Sequence, residues 1–262
     1  MACADCVSGS VHVGAPVGTE ITLGGLPTYA TGDEGSKRII VIGSDIFGWK
    51  LVNTRILADE YAARGFRVYL PNLFDGWKIP QWTLSATDPN NDSPTLLQRA
   101  IKPLFLFTMV PFLLRNSKDA QSAKIGGILK ELRETQPEAK VGFVGFCWGG
   151  RYAITMNKDF DATVAAHPSL VSFPKELDGI TKPISFAIAE TDDHYGPRHA
   201  TETERILKEK GLTDFEVVVY KGVNHGWTVR TNMAIPEKKE KRDEAKEQVL
   251  VWFERYLKPE GA

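Results

Sequence analysis

Cysteine is scarce in this chain: positions 3, 6 and 147 are the only three among 262 residues. An odd count with no secretory pattern around it argues for free thiols rather than a disulfide framework. Cys3 and Cys6 would make half of a metal site, but no second pair and no suitably spaced histidines complete one, so they read as a surface or N-terminal packing pair. Charge of one sign is not in excess either. The 32 basic and 33 acidic side chains give a formal net charge of -1 and are mixed along the chain. That leaves no electrostatic footprint for a phosphate backbone, and nucleic acid is not an expected partner. Long hydrophobic runs are missing as well. The longest apolar stretch, residues 104–114, falls short of the roughly 20 residues a membrane span needs, and Pro111 interrupts it. The opening Met1-Ala2-Cys3-Ala4-Asp5-Cys6 has neither a basic segment nor an apolar core of signal-peptide length, so a reducing, cytoplasmic location is expected.

What is present is enough apolar material for a full core. A hydrophobic content of 42% over this length suits one large α/β domain spanning 1–262 better than two small ones. The glycine-rich residues 7–32 alternate weakly and predict short antiparallel edge strands. Arg38-Ile39-Ile40-Val41-Ile42-Gly43 is a β-branched run of the kind buried on both faces of a parallel sheet. A helix over 51–64, stopped by Gly65, and a strand over 66–70 complete a βαβ unit. Regularity then fails from 71 to 117, where Pro80, Pro89, Pro94, Pro103 and Pro111 punctuate a segment carrying Trp77, Trp82 and Phe107. It is too long and too apolar for a plain connection and reads as a cap-like insertion over a pocket, with ordinary core or a homodimer contact as the alternatives. Further on, helices at 119–135, 199–210 and 237–256 alternate with strands at 141–144, 162–166, 184–189 and 215–220. The expected fold is a mostly parallel sheet with helices on both faces, and sites in such sheets gather at the carboxyl ends of strands.

One strand end stands out. Val141-Gly142-Phe143-Val144 runs through Gly145-Phe146-Cys147-Trp148-Gly149-Gly150 into the helical Arg151-Tyr152-Ala153-Ile154, with a cysteine at the apex of the turn. Glycines two residues to either side let the chain take strained dihedrals there, so the nucleophile stands above the sheet. The same turn aims backbone N–H groups, that of Trp148 first, at the place where an oxyanion would form. This is the pattern of an α/β-hydrolase nucleophile elbow with sulfur in place of oxygen. The blander reading is a buried cysteine acting as a small hydrophobe.

Two later strand ends supply partners. Asp192-Asp193-His194 follows the strand over 184–189, and Asn224-His225-Gly226-Trp227 follows the strand over 215–220. Nucleophile, acid and histidine thus come in α/β-hydrolase order, each at the end of its own strand. Histidine takes the thiol proton and later activates water; a carboxylate holds the imidazole in the useful tautomer and supports the imidazolium. Asp192 fits the spacing better, Asp193 is the alternative acid, and the loser would be a charge near the start of the helix after Pro197.

Together these residues resemble the dienelactone hydrolase family, also called carboxymethylenebutenolidases. The elbow matches that family's Gly-aromatic-Cys-x-Gly-Gly, and His225-Gly226-Trp227 its His-Gly-aromatic loop. The likeness runs from about Ser36 to the C-terminus, and the glycine-rich opening is similar to the fungal branch. The resemblance implies an acidic residue before Ile-Phe-Gly that contacts the cysteine in the resting enzyme; here it is Asp45, one methylene shorter than the usual glutamate, with a helix cap near Trp49 as its plainer role. It also implies Ile46 N–H as the second oxyanion donor and Arg230 as a substrate-carboxylate contact, against which stands an exposed arginine in a polar loop.

The resulting expectation is a hydrolase that cleaves a small ester or lactone through a thioester on Cys147, with no metal or organic cofactor, as a monomer or homodimer. A thiolate is also a good leaving group, so activated enol esters and lactones suit it best. The rivals are a thioesterase or broad carboxylesterase on the same fold, and a binding protein that has lost turnover.

Overall fold

The computed structural model describes residues 9–74, 84 and 111–259. Its frame is an eight-stranded sheet in the order β1-β2-β4-β3-β5-β6-β7-β8. The strands are β1 (Thr19–Leu23), β2 (Leu26–Thr31), β3 (Arg38–Gly43), β4 (Arg67–Pro71), β5 (Lys140–Phe146), β6 (Ala162–Ala166), β7 (Ile184–Thr191) and β8 (Phe215–Asn224). β1 and β2 are the expected antiparallel edge, joined by Gly24-Gly25 at φ 58° and 72°, a two-residue hairpin turn that favours glycine at both positions. From β4 through β8 every pairing is parallel. The central strands are buried along almost their whole length, which is why they read as continuous apolar runs and not as alternating ones.

Helices α1 (Val52–Ala62), α2 (Lys118–Thr135), α3 (Gly150–Thr155), α4 (Pro197–Glu209), α5 (Trp227–Arg230) and α6 (Pro236–Tyr256) connect or follow the strands. Each longer helix buries residues at helical spacing: Ile125, Ile128, Leu129 and Leu132 in α2, and Val249, Leu250, Trp252 and Phe253 in α6. Ser117 caps α2, its hydroxyl accepting from the Ala120 amide. Phe253 and Leu257 come so close to Gly142 that a Cβ there would lie within 2.9 Å of both, so the last helix seats directly on β5.

The strand order places the site. β3 leads by way of α1 to β4 on one side, whereas β5 takes the place on the other side of β3, so the chain reverses direction at the β3–β5 pair. Connections diverge at such a switch point and leave a crevice beyond the carboxyl ends of the strands. β3 ends at Gly43, before Asp45, and β5 ends at Phe146, before Cys147. Most of the 71–117 segment expected to form a cap-like insertion, including Trp77, Trp82 and Phe107, lies outside the described residues. Its two ends are described: Phe74 and Phe112 meet edge to face with ring centroids 5.0 Å apart. Among the described residues no helix is long and apolar enough to cross a membrane.

Candidate active site

Cys147 sits in the left-handed region at φ 53°, an unusual conformation for a residue with a side chain, and is 1% exposed. Holding it there costs on the order of 1–3 kcal/mol, which the surroundings must impose. Two glycines allow it. A Cβ on Gly145 would lie 2.1 Å from the Gly149 carbonyl oxygen, and one on Gly149 would lie 2.1 Å from that of Gly43. The strand, the turn and the end of β3 thus pass closer than side chains permit, and the loop carrying Asp45 and Ile46 is drawn against the elbow.

β7 and β8 bring up the other groups. β8 runs on to Asn224, past the expected end at 220, through an irregularity in its pairing with β7 between Ala189 and Thr191. The amide of His225 donates to the Thr191 carbonyl (3.2 Å), so the histidine is tied to the strand end that carries the acid. His225 Nδ1 and Asp192 Oδ2 are 2.8 Å apart, and both side chains are fully shielded from solvent. Asp192 Oδ1 accepts from the amides of His194 (2.8 Å) and Tyr195 (3.3 Å). Asp193 is exposed. Burial works to raise the Asp192 carboxyl, but the hydrogen bond and charge of His225 and the two amides outweigh it and hold the group below its ordinary value. His225 is pushed up to about 10: burial opposes its charge, and the negative charge and hydrogen bond of Cys147, with those of Asp192, overcome that. With Nδ1 committed to Asp192, Nε2 is the ring nitrogen left for the sulfur.

The structure sets aside the plainer alternatives for Asp45 and Arg230. Arg230 is not an exposed loop arginine; it is 2% exposed and bonds through Nη1 to Asp45 Oδ2, with its guanidinium 5.3 Å from the centre of the Phe47 ring. Asp45 does not cap a helix. Helix α1 begins at Val52 after Leu51, while Asp45 Oδ1 accepts from the Phe47 amide (3.0 Å) within its own turn. Burial raises the Asp45 carboxyl above its ordinary value, Arg230 pulls it down, and the charge of Cys147 pushes it up. The acid therefore meets the cysteine as a neighbouring charge, while its oxygens serve Arg230 and the turn. Removing one member of such a buried pair costs about 3–5 kcal/mol. Asp45→Asn is expected to lower unfolding stability by that order in denaturant titration, and the double variant Asp45→Asn/Arg230→Met to recover most of it. A single variant as stable as wild type would show that the pair is not what holds this loop.

Ile46 lies in the same turn and is buried, and Trp148 packs its ring among Phe74, Phe112 and Tyr152 with centroids 4.9, 6.1 and 4.7 Å away. Sequence reasoning passed over a fifth strand end. His167, just after β6, is fully buried, lies 4.9 Å from the His225 ring and accepts from the Cys147 amide at 3.1 Å. Ser169 and Thr228 stand beside it. A polar residue directly after a central strand was the available signal.

A mostly parallel sheet, a cysteine elbow at one strand end and a histidine–carboxylate pair at two others define an α/β-hydrolase. The chain belongs to the dienelactone hydrolase family, whose model matches residues 26–257, and it is a carboxylic ester hydrolase. It is 28% identical over 257 residues to the hydrolase pyvD of Aspergillus violaceofuscus, covering 97% of this chain and 96% of the relative. It is also 28% identical over 247 residues, 92% of each chain, to a human carboxymethylenebutenolidase homolog. Among solved structures, the dienelactone hydrolase of Anabaena variabilis superposes with a TM-score of 0.59 at 14% identity, covering 92% of this chain and 98% of that one.

Proposed function

We propose that the protein hydrolyses a small enol ester or enol lactone through a thioester on Cys147, with His225 as base and then acid and Asp192 as the group that orients it. The observation carrying this reading is the buried line from Asp192 Oδ2 through His225 Nδ1, 2.8 Å apart, to a sulfur at the apex of a left-handed elbow. Sulfur attacks the carbonyl carbon, and the amides of Trp148 and Ile46 receive the charge on the carbonyl oxygen. The tetrahedral intermediate collapses, expelling an enolate that takes its proton from the His225 imidazolium. Neutral His225 then draws a proton from water, the hydroxide attacks the thioester, and the thiolate leaves with the imidazolium restored. Arg230 beside this site favours a substrate bearing a carboxylate, provided Asp45 shares it.

The insertion over 71–117 supplies the pocket wall in this reading. It leaves the sheet at Pro71, a carboxyl strand end, and Phe74 and Phe112 at its two ends pack on Trp148, the residue after the nucleophile. Trp77, Trp82 and Phe107 fall outside the described residues. A thiol nucleophile fits the reduced cytoplasm, and the protein works there as a monomer or homodimer without nucleic-acid or membrane partners.

Leaving-group chemistry separates this reading from a broad carboxylesterase or thioesterase. Since the thiolate competes with the alcohol for expulsion, enol esters and enol lactones are expected to turn over at least about 100-fold faster than alkyl esters of the same acid, a difference of about 2.7 kcal/mol in barrier. A panel matched in acyl group and varied in leaving group measures this. Equal rates across the panel, or a clear preference for acyl thioesters, would assign the site to the rival activities.

A further inference from the structure

One short segment holds three atoms of Cys147. After β6 the chain runs His167-Pro168-Ser169. The Cys147 amide donates to His167 Nδ1 (3.1 Å), the Ser169 amide donates to the Cys147 carbonyl (3.0 Å), and the Ser169 hydroxyl stands 3.7 Å from Sγ, within hydrogen-bonding reach of sulfur. The hydrolytic steps above use none of these contacts.

The form of His167 follows from its partners. Nδ1 accepts from an amide, so the ring proton is on Nε2, which donates to Thr228 Oγ1 at 2.7 Å. Burial, followed by the charges of His225 and Arg230, holds His167 well below the usual histidine range, so the ring stays neutral and able to accept. Cys147, His167 and Leu170 all have left-handed φ, at 53°, 37° and 58°. Non-glycine residues stay there only where neighbours over-determine them.

We propose that His167 and Ser169 are positioning residues for the nucleophile: His167 fixes the backbone of the left-handed elbow, and the Ser169 hydroxyl hydrogen-bonds the sulfur and favours its ionised form. This rests on Cys147 being the nucleophile. The titratable and charged groups around the sulfur are His225 after β8 with Asp192 behind it, Asp45 after β3 with Arg230 of α5 on it, and His167 after β6. Replacing Ser169 leaves all of them in place.

The test is iodoacetamide alkylation of Cys147 in the full chain as a function of pH, read by peptide mass, beside kcat and KM on an activated ester. Ser169→Ala is expected to move the alkylation midpoint up by about half to one pH unit, the scale of one ordinary hydrogen bond, and to lower kcat with KM within about twofold. His167→Leu, which fills space but accepts nothing, is expected to lower kcat by about tenfold or more, and His167→Asn, whose amide oxygen takes the place of Nδ1, to recover most of that. An unchanged midpoint in Ser169→Ala overturns the role of the hydroxyl, and asparagine doing no better than leucine overturns that of His167. If His167→Leu does not fold, the Ser169→Ala midpoint decides the proposal by itself. Alkylation needs no substrate: a wild-type Cys147 no more reactive than a free thiol would sink the hydrolytic reading, whereas a reactive wild type with unaltered variants sinks this inference alone.

Discussion

Cys147→Ala is expected to lower ester turnover on the order of 10,000-fold or more, the scale seen when the nucleophile of a coupled nucleophile–histidine–acid set is removed. The loss is large because the other groups act only through that sulfur. The charges on Cys147 and Asp192 push His225 up to about 10 against its burial, and in the proposed mechanism the pair acts as a thiolate and an imidazolium. Cys147→Ser keeps the geometry but not the ion pair, since a hydroxyl stays protonated beside a histidine, and weak esterase activity at most should remain. In the wild type, iodoacetamide is expected to label Cys147 at a pH where ordinary thiols are protonated and to abolish turnover in step. Full activity with Cys147 labelled would end the mechanism. Changing Cys3 and Cys6 together to serine should leave turnover intact.

The second large effect distinguishes two neighbouring aspartates. Asp192→Asn is expected to lower kcat by about 1,000-fold to 10,000-fold, because an amide neither supports the imidazolium nor enforces the tautomer with the proton on Nδ1. Asp193→Asn, on an exposed side chain, should stay within about threefold of wild type. Parallel kinetics on the two variants check this, and the reverse ranking would move the orienting role one residue along the chain. Stability should follow the same pair. The Asp192 carboxyl is held below its ordinary 3.8, so its contribution is present above that pH and is lost as pH falls through the folded-state value. His225, raised from 6.5 to about 10, contributes stability in full below 6.5 and loses it as pH rises toward 10. Wild type should therefore lose stability at both ends of that window, and Asp192→Asn should flatten both limbs.

Much of this arrangement was legible from local pattern. Buried parallel strands announce themselves as apolar β-branched runs, so β3 and β6 were placed to the residue, and β5 with its elbow followed from glycines around a cysteine. Chain order pointed to the histidine and spacing favoured Asp192 over Asp193; the loop geometry adds the contact with His225 Nδ1 and two amides on Asp192 Oδ1. What stayed hidden depends on distant partners. Val229-Arg230-Thr231-Asn232 reads as a polar loop until Asp45, 185 residues away, is brought against it. His167 carries no motif of its own, and its contact with the Cys147 amide depends on β6 lying beside β5. The length of β8 was underestimated because Lys221-Gly222 has the composition of a turn, whereas the bulged pairing with β7 carries the strand on to Asn224.

The most direct measurement is to quench the enzyme in acid within its first turnovers of an activated ester and to locate the acyl group by peptide mass. The account predicts one acyl mass on the peptide containing Cys147, released by hydroxylamine at neutral pH as a thioester is, and absent from Cys147→Ala. An acyl group on Ser169 or on another residue, with Cys147 unmodified while product accumulates, would contradict it.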